Sequence, residues 1–145
     1  MNKRSVVIIS VVLILITVFN ISALAVYNPP NAPDSSYYIS SSYASALSGG
    51  TGKLKVHFWV TATGNMSSLG AICIDVYKSN GTYVKSVMYY QTGRSGMLAS
   101  NVGFHDDTET ISVASGRYYA VVSFYAQNSS GSDQIPQTTN TVTIP

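Results

Sequence analysis

The densest group of chemically capable side chains in this 145-residue chain is His105-Asp106-Asp107-Thr108-Glu109. Three carboxylates and an imidazole in five residues could offer oxygen and nitrogen ligands to a divalent cation, or an acid and a base to a small hydrolase. The spacing matches no dedicated metal loop. Strand-like alternation would send neighbouring side chains to opposite faces, so His105, Asp106, Asp107 and Glu109 are expected to form a solvated turn that enters a strand at Thr108. The second histidine, His57, alternates outward beside Trp59. With 19 serines in residues 26–145, a Ser/His/Asp combination arises by chance, and Gly93-Arg94-Ser95-Gly96-Met97 lacks the Gly-x-Ser-x-Gly spacing of a nucleophile elbow. Glycoside hydrolysis by paired carboxylates is poorly served, because Glu109 is the only glutamate and Asp75 lies in a run that reads as a central strand. There is no Gly-rich phosphate loop, paired Cys set or His-Glu-x-x-His motif. No cofactor and no catalytic residue is expected. The single cysteine, Cys73, sits between Ile72 and Ile74 and is expected to be buried as a small hydrophobe; an intermolecular bridge or a reactive thiol are the alternatives.

Aromatic excess is the remaining chemical signal, with 15 rings in residues 26–145. Outward rings on a sheet can stack on sugar faces or insert into a protein partner, whereas the alternative is that tyrosines fill a core with hydroxyls at its rim. Alternation makes Trp59, Tyr83, Tyr89 and Tyr90 outward candidates. Arg94, in the glycine-containing stretch Thr92 to Asp107, adds hydrogen bonds to carboxylate or sugar hydroxyls. The expected binding residues are therefore Trp59, Tyr89 and Arg94, and the expected partner is an extracellular protein or a glycan. Asn65-Met66-Ser67, Asn80-Gly81-Thr82 and Asn128-Ser129-Ser130 fit the glycosylation acceptor pattern and read as turns.

The elements that would carry these residues are strands. Residues 26–145 hold 19 Ser and 11 Thr but only 4 Leu and 1 Glu, which starves helices and suits pleated surfaces joined by Gly/Ser/Asn turns. A weak first strand runs from Tyr37 to Leu47. The clearest follows, with Leu54, Val56, Phe58, Val60 and Ala62 on one face and Lys55, His57, Trp59 and Thr61 on the other. Ala71 to Tyr77 is apolar on nearly both faces, as in a central strand, and Asn80-Gly81 predicts a type I′ hairpin returning through Tyr83 to Gln91. Thr92 to Asp107 reads as irregular. Thr108 to Val113, Tyr118 to Gln127 and Thr138 to Ile144 complete seven strands. The expected core is Leu54, Val56, Phe58, Ile72, Ile74, Val76, Val122 and Phe124.

The N-terminus carries an address. Lys3 and Arg4 precede the apolar run Val6 to Phe19, and Ala23-Leu24-Ala25 offers a small-x-small cleavage site, so residues 1–25 are read as a secretory signal peptide. An uncleaved anchor is the alternative, and it would be the sole contact with a membrane. Residues 26–35, with Pro29, Pro30 and Pro33, read as an extended leader to a domain at 36–145. Cleavage leaves six basic against six acidic groups. A secreted chain of that balance lacks the positive stripe that nucleic acids require.

Val113-Ala114-Ser115-Gly116-Arg117-Tyr118-Tyr119, continuing to Ala126-Gln127-Asn128-Ser129-Ser130-Gly131, resembles the fibronectin type III pattern, in which a Leu-x-Pro-Gly turn precedes a tyrosine and Ala-x-Asn-x-x-Gly closes the strand. Leu54-x-Val56-x-Phe58 resembles that family's second strand, with Phe where a tryptophan is usual. Ser115 stands in place of the proline, Trp59 is out of phase, and either Tyr118 or Tyr119 could make the tyrosine corner. The chain also resembles small, signal-bearing bacterial proteins grouped as a domain of unknown function. The resemblance implies an all-β, seven-stranded antiparallel β-sandwich, fibronectin type III-like, and no activity, because one sandwich hosts many functions. The expectation for function is a secreted, non-catalytic binding domain; the alternative is a small secreted hydrolase or metal-dependent enzyme built on the His105 to Glu109 cluster.

Overall fold

A computed structural model describes residues 36–145; the signal segment 1–25 and the leader 26–35 lie outside the described residues. The alternating apolar and hydroxyl side chains give nine strands: β1 (Ile39–Ser48), β2 (Lys53–Met66), β3 (Ser68–Lys78), β4 (Tyr83–Met88), β5 (Leu98–Ala99), β6 (Val102–Ser112), β7 (Gly116–Asn128), β8 (Gly131–Thr138) and β9 (Val142–Ile144). They form two antiparallel sheets, β1-β2-β6 and β4-β3-β7-β8, with β5 joined to β3 and β9 to β7. No α-helix occurs among the described residues. Residues 36–145 are all-β, and their sheets face one another in the manner of a sandwich.

β2 sets the core. Leu54, Val56, Phe58 and Val60 are fully buried, as their period of two requires. The Phe58 ring meets Phe124 of the opposite sheet edge-on, with centroids 6.0 Å apart. Ile74, Val76, Val122 and Phe124 are buried from the second sheet, matching expectation, but Ile72 is not. A β-bulge between Ala71 and Cys73, opposite β7, inserts one residue. It shifts the phase of β3, so Ala71 and Ile74 face inward while Ile72 and Cys73 are only half-buried. The buried places around Cys73 are taken by Ala71 and Ile74.

Three further expectations change. The predicted seven strands become nine, because β5 forms in the crossover and β8 forms after the turn at Ser129-Ser130, with the paired chain breaking before β9. Across that gap Thr139 donates its N–H to the Ala120 carbonyl and accepts the Ala120 N–H on its hydroxyl, so β7 loses no bond. β8 escaped the sequence because Ile135 is its one large apolar residue among Gly, Ser, Asp, Gln, Pro and Thr, with half-buried positions alternating with exposed ones; it is an edge strand and can hold Pro136. The irregular stretch Thr92 to Asp107 is half strand: a 3-10 turn at Ser95–Met97, then β5, then the start of β6. The Asn80-Gly81 turn is not type I′. Only Gly81 has positive φ, at 85°, and Asn80 instead accepts the Thr82 N–H on its side chain, as in a turn closed by a glycine bulge.

Two local devices fix the chain. Tyr118 is buried and donates its hydroxyl to the Ala114 carbonyl at 3.0 Å, which settles the choice between Tyr118 and Tyr119 for a tyrosine corner. At Gly70 a Cβ would lie 2.2 Å from the Met97 carbonyl oxygen, so only glycine lets the crossover from β4 to β6 close against β3.

Candidate functional site

The carboxylate-imidazole cluster lies within β6, and alternation divides it. His105, Asp107, Glu109 and Ile111 take the inner side of that edge strand, whereas Phe104, Asp106, Thr108 and Thr110 take the outer side. On the inner side the groups are already engaged. The Arg94 guanidinium pairs with the Glu109 carboxylate, whose side chain is 8% exposed, and also donates to the Thr110 carbonyl. His105 Nε2 lies 2.8 Å from the Gly96 carbonyl oxygen; a carbonyl only accepts, so that nitrogen carries the proton. The Asp107 carboxylate sits against Gly96, where an added Cβ would be 3.0 Å from Oδ2. Among the described residues no three of His, Cys, Asp and Glu converge as metal ligands. This flank fastens the crossover, residues 89–99, over β6.

The three residues expected to bind a ligand sit on different elements. Arg94 belongs to the crossover and is tied to Glu109. Tyr89 follows β4, is partly exposed, and packs edge-on against Tyr90 with centroids 5.5 Å apart. Trp59 occupies the outer face of the three-stranded sheet. There the register lines up three rows of neighbours across β1, β2 and β6: Ser41, Thr61 and Phe104; then Tyr43, Trp59 and Asp106; then Ser45, His57 and Thr108.

Tyr43 and Trp59 stack with an interplanar angle of 21° and centroids 5.9 Å apart. Rings in van der Waals contact lie about 3.5 Å apart, so this separation means that they are slipped sideways by roughly 5 Å. Part of each face is left uncovered. His57 meets the edge of Tyr43 at 6.2 Å, and its Nε2 lies 3.2 and 3.4 Å from the two Asp106 oxygens. Phe104 is 54% exposed and Leu47 51%, which completes an aromatic and aliphatic face with a directed polar pair at its centre. Sequence reasoning found Trp59 and missed Tyr43, His57 and Asp106 as its companions; the signal available was the shared outward phase of the strands.

The outer face of the second sheet carries another aromatic row. Tyr77 stacks on Tyr119 with centroids 5.3 Å apart and meets Tyr83 edge-on at 5.7 Å. Along β3, the Cys73 thiol donates to Asp75 Oδ1 at 3.4 Å, and Ser86 donates to the same oxygen. Burial, then the charge of Asp75 and its hydrogen bond, push the Cys73 thiol up to about 12. At neutral pH it stays protonated and is a poor nucleophile. Burial and Asp75 also raise Tyr77. No family model, curated protein or solved structure matches the chain.

Proposed function

We propose that this chain is a secreted, non-catalytic binding domain of the fibronectin type III-like sandwich class, and that it engages an extracellular protein or glycan through the outer face of its three-stranded sheet. The observation that carries the reading is the slipped Tyr43–Trp59 stack in the middle of that face, flanked by exposed Phe104 and Leu47. Tyr43, Phe104 and Leu47 are exposed and Trp59 is half-buried beside them; apolar side chains left open to water on a rigid sheet are costly to leave uncovered and well suited to contact.

The class reading is supported by the strand order and by the Tyr118 corner. The nine strands would match the seven of that class if β8 and β9 are taken as halves of one interrupted final strand and β5 as an insertion. Secretion is supported by Lys3, Arg4, the apolar run and Ala23-Leu24-Ala25. The enzymatic alternative has less support, because Glu109 and His105 spend their polar atoms on Arg94 and Gly96. Pull-down from the extracellular milieu and a glycan array test the reading with the purified protein and with Trp59→Ala. Binding that Trp59→Ala abolishes while the far-ultraviolet spectrum keeps the β-sheet signature and denaturation stays cooperative is the expected result. Binding unaffected by Trp59→Ala, or a reaction that requires His105, would overturn it.

A further inference from the structure

We infer that the ligand of the Trp59 face is a neutral glycan, a pyranose laid on the Tyr43–Trp59 step with its hydroxyls directed to His57 and Asp106; the inference rests on the binding face proposed above.

A sugar ring presents two different chemistries at once, C–H bonds on its faces and hydroxyls around its rim. The site offers a complement to each. The slipped stack leaves ring surface for the C–H face. Directly beside Trp59 in the register stands Asp106, and diagonal to it stands His57. One proton joins them, from His57 Nε2 to the carboxylate, so the carboxylate keeps unused lone pairs that accept from hydroxyls. Among the described residues His57 Nδ1 has no hydrogen-bond partner, which leaves it to exchange a hydrogen bond with a neighbouring hydroxyl. Thr108, exposed on the neighbouring strand beside His57, adds a hydroxyl of its own.

Charge selects the class further. His57 and Asp106 lie against each other, and the nearest cation on this face along β2, Lys55, is four residues from Trp59, about 13 Å at the rise of an extended strand. Among the described residues no cluster of like charge lies beside the rings to draw a phosphorylated, sulfated or strongly acidic chain. A neutral sugar needs none.

The only tryptophan in the chain lies in this site, so the protein reports its own binding. Purified protein is titrated with neutral glucan, mannan, galactan and chitin oligosaccharides while Trp59 emission is followed. At least one series should give a saturable blue shift that survives a change from low to high salt. Tyr43→Ala and Asp106→Asn should each weaken binding about tenfold, the equivalent of ~1.4 kcal/mol, and Tyr77→Ala on the opposite sheet should leave it unchanged. Asp106→Asn keeps size and exposure, so its effect does not depend on the fold surviving loss of a ring. Absence of any response, a response that high salt abolishes, or one that withstands both substitutions would overturn the inference. A protein partner lost with Trp59→Ala, with no sugar response, would overturn the glycan and leave the binding face standing. If neither protein nor sugar binding depends on Trp59, both fall.

Discussion

The two long seams where the sheets meet are closed by opposite means. Along one, β1 is sewn to the β8–β9 flank by short, mostly neutral hydrogen bonds: Asn140 binds both the N–H and the carbonyl of Ala46 at 2.9 Å, Ser42 donates to Gln137, and the Asp133 carboxylate accepts from Ser36 and from the Tyr38 N–H. Along the other, β6 is held by charge, through the Arg94–Glu109 pair and through Lys85, whose ammonium donates to the Ser112 carbonyl at 2.9 Å. The first seam joins edges that already run side by side. The second must also hold down a crossover of 89–99 in which Met97 is the one fully buried side chain. A strong, partly desolvated pair anchors a long segment at one point, whereas many weak bonds suit a continuous edge.

That contrast can be broken in graded steps. Phe58→Ala empties the core that both seams enclose and should cost about 3 to 5 kcal/mol in chemical denaturation. Arg94→Ala strands Glu109 in a buried position and should cost a comparable 3 to 5 kcal/mol, while replacing Arg94 and Glu109 together by Met and Leu should recover most of that loss. If the double replacement is as damaging as the single one, charge is not what holds this seam. Asn140→Ala removes two hydrogen bonds from the neutral seam and should cost about 1 to 3 kcal/mol, the scale of leaving polar groups unsatisfied. Amide exchange should then rise at Ala46 and not in β6.

Asp133 gives the smallest effect and a signed pH dependence. The Ser36 hydroxyl, followed by backbone N–H groups, holds its carboxyl below the ordinary 3.8 against an opposing burial effect. The folded state therefore binds that proton less readily than the unfolded state. Its stabilisation is complete above pH 3.8 and fades as pH falls through the lower folded value. The gap in stability between the wild type and Asp133→Asn should be present at neutral pH and close in acid. A gap that widens on acidification would reverse the assignment.

How much could be read in advance follows from where each signal resides. β2 was legible because every second residue from Leu54 to Val60 is apolar and nothing interrupts the count. β3 was legible as a strand but not in its phase, since the bulge at Ala71–Cys73 leaves no mark in a run apolar on both faces. β8 had no apolar period to find. Trp59 could be placed outward by alternation alone, yet its partners Tyr43 and Asp106 come from other strands, and register between strands is a property of the assembled sheet. Glu109 did carry a clue, because it is in phase with buried Ile111. The arginine that satisfies it lies 15 residues away, across a crossover whose path no periodicity describes.

The hold of Asn140 on Ala46 also bears on how the molecule behaves among copies of itself. Both backbone groups of Ala46 point away from β2, toward the side on which an incoming strand would add, and the Asn140 amide occupies them as a peptide group would. Pro136 denies β8 one donor of its own. Sheets usually grow into fibrils through such open borders. Here one border carries a built-in terminator, so Asn140→Ala should expose a polymerisation template as well as loosen a seam.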